Sequence, residues 1–129
     1  MPRKSGARRR LSGSKVTKDA QAFLGTHPHA GTLNVDITAA NELRLWAENT
    51  ASLHGQYASI MKNVARRLKN GSYDPRLAPK LWMYWVDNAA RAYEREFGTP
   101  GSKIFDKPTR EYLARELAVD TVSEAPNYL

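Results

Sequence analysis

Three consecutive arginines, Arg8-Arg9-Arg10, are the residues of this chain best suited to a definite chemistry. A guanidinium fork grips a phosphate through paired hydrogen bonds, and release of condensed counterions from a polyanion adds affinity without sequence readout. Arg3, Lys4, Lys15 and Lys18 extend the run, so residues 1–18 hold seven basic residues and no acid. Residues 19–129 hold 13 basic and 13 acidic residues, and the net charge of +7 therefore belongs wholly to the first eighteen. This pattern describes a cationic arm on a neutral body rather than a generally basic globule. The plainer reading is a solubilising tail. The neutrality of the body favours a binding arm, with nucleic acid or another polyanion as its partner.

A second basic group follows later in the chain: Lys62, Arg66, Arg67, Lys69, Arg76 and Lys80, with Asp74 as the one acid among them. Lys62, Arg66 and Lys69 are spaced four and three apart and share a helix face. Cations near a helix C-terminus also complement the helix dipole, so the spacing fits either a phosphate contact or plain helix stabilisation. Trp82-Met83-Tyr84-Trp85 places bulky groups all round one helix. Trp82 and Trp85 fit a core stripe. Met83 and Tyr84 point elsewhere and are the expected protein interface, because aromatics and Met are enriched at such surfaces; stacking on an unpaired base is the other use of an exposed ring.

Other chemistries find little support. His27-Pro28-His29 offers two imidazoles, His54 a third at an unrelated position, and this is a poor metal site. The absence of cysteine excludes thiolate zinc sites, disulfides and thiol catalysis. Glu94 and Glu96, or Glu111 and Glu116, are spaced badly for a shared helix face. No nucleophile elbow, phosphate loop or dinucleotide fingerprint is present. The expectation is a non-enzyme without cofactor or metal. The longest apolar run, Leu81 to Val86, is too short to span a bilayer, and the basic N-terminus has no hydrophobic stretch behind it, so neither a membrane partner nor a secretory signal is expected.

The elements that carry these residues can be read from periodicity. Residues 1–18 have too few apolar side chains to offset their ordering entropy and are expected to be a disordered arm. Residues 19–35 form a linker broken by Gly25, Pro28 and Gly31. After the N-cap Asp36, the apolar positions Ala39, Leu43, Trp46, Thr50, Leu53, Tyr57, Ile60 and Val64 predict one long helix ending at Asn70-Gly71. Gly55 falls inside it and marks either a close helix crossing or a bend. A second helix starts near Asp74-Pro75 or at Pro79, carries Ala78, Trp82, Trp85, Ala89, Tyr93 and Phe97, and stops at Gly98. A third, capped by Asp106, carries Tyr112, Leu113, Leu117 and Val122 and is limited by Pro126. The expected fold is all-α: a three-helix up-down bundle over residues 36–125, with residues 126–129 as a tail.

The stretch Tyr73-Asp74-Pro75, Leu81-Trp82-Met83-Tyr84-Trp85-Val86-Asp87, Ala92-Tyr93, Glu96-Phe97-Gly98, Pro108-Thr109-Arg110 and Ala114-Arg115 resembles small proteins of tailed-phage genomes. That group has no assigned activity, so the resemblance implies no site residue. It implies a viral setting: the cytoplasm of an infected host cell, or the virion. The functional expectation is an accessory protein whose arm binds nucleic acid non-specifically while the helical body meets another protein or a second copy. The alternative is a structural virion or assembly protein whose arm threads into neighbouring subunits.

Overall fold

The computed structural model describes residues 35–128. These form four α-helices and a terminal 3-10 turn: α1 (Ile37–Glu48), α2 (Ala51–Asn70), α3 (Ala78–Phe97), α4 (Lys107–Thr121) and the 3-10 helix Ala125–Tyr128. The arm (residues 1–18) and residues 19–34 of the linker lie outside the described residues.

The all-α class is as expected, but the first helix is two. Asp36 caps α1, its carboxylate accepting from the Ala39 N–H at 2.9 Å. The continuous stripe predicted through Thr50 is broken there. The Asn49 amide donates to the Leu45 carbonyl and the Thr50 hydroxyl to the Trp46 carbonyl, each at 2.8 Å. Short polar side chains that satisfy nearby carbonyls offer the backbone an alternative to the helix. Thr50 takes an extended conformation, and the chain restarts as α2. With its hydroxyl turned back on α1, Thr50 provides no side-chain cap to α2.

The remaining punctuation follows the sequence. Gly71 ends α2 at φ 81, the left-handed region open to glycine, while Ser72 and Tyr73 N–H groups join it on the Arg67 carbonyl. Pro79 sits in the first turn of α3, Gly98 closes α3, and Asp106 caps α4 by accepting from Thr109 N–H at 3.0 Å. Residues Ala125–Tyr128, most of which read as tail, pack as the 3-10 helix against α2.

Helices α2 and α3, consecutive in the chain, meet around a buried aromatic cluster. The Trp85 indole N–H donates to the Leu53 carbonyl at 2.8 Å, and Tyr57, Trp82 and Trp85 meet with ring centroids 5.2–6.0 Å apart. Burial, reinforced by Glu48 and Glu124, pushes the Tyr57 hydroxyl up to about 12, so it stays neutral. Helix α4 packs antiparallel on α3, tied by Arg110 to Asp87 at 2.5 Å and by the Glu94 carboxylate, which accepts from the Ile104 N–H at 2.7 Å. Helix α1 lies along α4 in the same direction. The Asp36 N–H donates to the Thr109 hydroxyl at 3.2 Å, and Arg44 bridges to Asp120 at 2.8 Å. Trp46 carries α1 onto a second aromatic group with Tyr93, Phe97 and Phe105.

Gly55 marks neither a crossing nor a bend. It is exposed within an unbroken helix, and a Cβ there would meet nothing within 4 Å. Gly55→Ala is therefore expected to stabilise the fold by about 0.5–1 kcal/mol through helix propensity alone. Trp85→Ala, which empties a site with 0% exposure, is expected to cost roughly 3–5 kcal/mol. Urea unfolding of the two variants checks both. A loss below about 1 kcal/mol for Trp85→Ala would show that the indole does not hold the hairpin together.

Candidate nucleic-acid interface

Helix α2 contains no acidic residue. Its buried side is Leu53, Tyr57, Ile60, Met61, Val64 and Ala65, and the opposite side exposes Ser59, Lys62, Arg66 and Lys69. The three cations predicted to share a face do so, in solvent. On α3 the exposed positions step along one stripe at helical spacing: Lys80, Tyr84, Arg91 and Arg95, with the half-buried Asn88 between. Each stripe lies on the side of its own helix away from the core, and the two helices meet at their surface between Asn88 and Gln56. A hydrogen-bond chain runs there: Arg91 donates to Asn88 at 2.5 Å, and Asn88 to Gln56 of α2 at 3.3 Å.

The acids near these stripes are engaged or turned away. Asp74, at the hairpin tip, pairs with Arg76 at 3.1 Å, whose hydrogen bonds hold the carboxyl below its usual range. Asp87 pairs with Arg110, and Glu94 accepts backbone N–H groups of the following loop. Glu96, next to Arg95, is exposed but lies about 100° round the helix from it. The predicted patch is thus larger than its α2 portion. Arg91 and Arg95 were missed because they lie a helix away from Lys62 in sequence; the 80-84-88-91-95 spacing is the signal that finds them. Arg76, counted among the basic group, is the member already neutralised by a neighbour.

The two residues expected at a protein interface separate. Met83 is half-buried and packs against the core, while Tyr84 is 67% exposed. Of the predicted arm contacts, Arg3, Lys4, Arg8, Arg9, Arg10, Lys15 and Lys18 lie outside the described residues, as do His27 and His29. Among the described residues no group of three or more His, Asp or Glu side chains could hold a metal ion, and no helix is long and apolar enough to cross a membrane.

Helices α1 and α4, with their caps and ends, are richer in acids. Residues 36–48 hold Asp36, Glu42 and Glu48 against Arg44, and residues 106–124 hold five acids against three bases. Burial works against the Arg44 charge, but its hydrogen bonds to Asp120 and Glu48 outweigh this, and its pKa stands above the ordinary arginine value. Arg115 on α4 is the odd cation. It is buried, its Nε and Nη1 have no hydrogen-bond partner among the described residues, and desolvation pulls its pKa down against the opposing effect of Glu111.

Comparison with protein-family models, with curated proteins and with solved structures gives no match.

Glu116 makes the acidic side testable. Burial raises its pKa, Asp120 raises it further, and Arg44 opposes both. A carboxyl with a raised folded-state pKa binds its proton more tightly when folded, so its ionised form costs stability at neutral pH. That cost appears as pH rises through the ordinary glutamate value of 4.5 and is complete above the folded pKa. Glu116→Gln is expected to raise the melting temperature at neutral pH, with the gain vanishing once the pH falls below that ordinary value. Thermal melts of both proteins across the acid range check this; an equal gain at all pH values would place its origin in packing rather than charge.

Proposed function

We propose that this chain is a non-enzymatic nucleic-acid-binding protein that grips phosphates through two cationic surfaces, the N-terminal arm and the solvent face of the α2–α3 hairpin. The observation that carries this reading is the pair of cationic stripes: Lys62, Arg66 and Lys69 exposed on the acid-free α2, and Lys80, Arg91 and Arg95 exposed on α3, where Asp87 is paired with Arg110 and Glu94 with backbone N–H groups. Such a surface recognises the regular negative charge of a polynucleotide backbone and carries no code for base sequence. The arm, with Arg8-Arg9-Arg10 at its centre, supplies a second set of contacts on a tether. The resemblance of residues 73–115 to tailed-phage proteins suits an accessory role in an infected cell or in the virion.

A second reading draws on the acidic side, where Glu48, Glu116 and Asp120 surround the single Arg44. A neighbouring copy's arm would find complementary charge there, as a structural or assembly protein requires. Salt-sensitive self-association of the nucleic-acid-free protein is the signature of that case.

The salt dependence of binding tests the main reading. With about five phosphates neutralised, log affinity for random duplex DNA should fall against log salt with a slope near −4 to −5. Replacing Arg8, Arg9 and Arg10 with Ala should flatten the slope by up to about three units, and Lys62, Arg66 and Lys69 replaced together should flatten it less, neither altering sequence preference. Fluorescence anisotropy over a salt series provides the measurement. No binding at low salt by the full chain would overturn the reading.

A further inference from the structure

Resting on the reading just proposed, we infer that the α2–α3 face takes single-stranded nucleic acid, with the Tyr84 ring as the platform on which an unpaired base stacks.

Tyr84 is the aromatic residue that the fold does not use. Among the described residues, every other aromatic ring is buried, half-buried or, like Phe97, stacked on a neighbouring ring. Tyr84 is 67% exposed and has no aromatic partner among them. Its place within the cationic stripe matters more than its exposure. Lys80 lies one turn before it, about 6 Å along the axis, and Arg91 two turns after it, about 10 Å along. On that far side, Asn88, one turn after Tyr84, accepts from Arg91 and donates to Gln56, which ties the guanidinium to the stripe and the stripe to α2. Lys62 and Arg66 are exposed farther along α2, the helix to which Gln56 belongs.

A ring between cations has a specific use. Phosphates to either side of a nucleotide meet the cations, and the base between them meets the ring. Stacking suits any base, since each has a π face, and so adds affinity without sequence preference. It requires a base free to leave its neighbours. In a duplex the bases are already stacked and paired, and their faces are closed to a side chain on a convex helical surface. The cations alone would serve duplex and single strand alike; the ring discriminates. An acidic protein partner would engage the same cations, but has no regularly spaced planar groups to meet the ring.

The test uses the full chain, once with the native arm and once with Arg8, Arg9 and Arg10 replaced by Ala to lower the arm's contribution. Fluorescein-labelled oligo(dT), oligo(U), a blunt DNA hairpin and polyglutamate are titrated by anisotropy against the parent, Tyr84→Ala and Tyr84→Phe. The side chain is exposed, so both variants should melt with the parent. Tyr84→Ala should weaken oligo(dT) or oligo(U) by about five- to a hundredfold, leaving the hairpin and polyglutamate unchanged. Tyr84→Phe, which keeps the ring, should retain the parent affinity. The ratio between oligo(dT) and oligo(U) tells which sugar the face prefers. Equal affinities of parent and Tyr84→Ala for the single strands, or equal losses on hairpin or polyglutamate, would overturn the inference while leaving phosphate binding intact. If no nucleic-acid probe binds even the native-arm chain at low salt, both the inference and the reading beneath it fall.

Discussion

The hydrogen bond from the Trp85 indole to the Leu53 carbonyl decides how the rest of the bundle is arranged. An indole is the largest side chain a core can bury, and its N–H must find an acceptor when it does. By taking a main-chain carbonyl of α2, Trp85 fixes the hairpin's register as well as its separation. Tyr57 and Trp82 then close round it. With further sides of α3 packed on α4 and α1, and α2 covered in part by the 3-10 helix, the stripes left over face solvent. The cationic face is the outer surface of the same register that buries the tryptophans.

Charge segregation follows at the level of the whole body. Summed along the sequence the body is neutral, and the sum conceals helices of unlike charge. The screening length at physiological salt is about 8 Å, so acids farther away than this cannot cancel the cations where a polyanion first meets them. A neutral total is therefore compatible with a strongly cationic approach surface, and the acidic α1–α4 side biases which way the molecule turns as it arrives.

Much of this was legible before the fold was known, for identifiable reasons. Asp36, Gly71, Pro79, Gly98 and Asp106 act through local backbone chemistry, and each marks the boundary its residue type suggests. The core tryptophans obey helical spacing. The break at Asn49-Thr50 was not legible, because Thr50 sits at a spacing that continues the stripe, and periodicity cannot tell a buried threonine from one whose hydroxyl turns back on Trp46. Arg91 and Arg95 escaped notice because neighbours across a hairpin are distant in sequence. Met83 and Tyr84, adjacent in the chain, met different fates, one against the core and one in water, because one step along a helix turns through about 100°.

The break between α1 and α2 also sets how the molecule carries a mechanical load. Within the described residues the chain begins just before α1, so a pull applied at Val35 reaches α1 first. Helix α1 is anchored by contacts near its two ends: Asp36 to Thr109, the Arg44 bridges, and Trp46 against Tyr93 and Phe97. Beyond Thr50 the helical ladder does not continue, so tension is not passed down a rigid rod into the tryptophan cluster. The break leaves such a load to α1's own packing, where Ala40, Leu43 and Ala47 join the common core, before it reaches the hairpin.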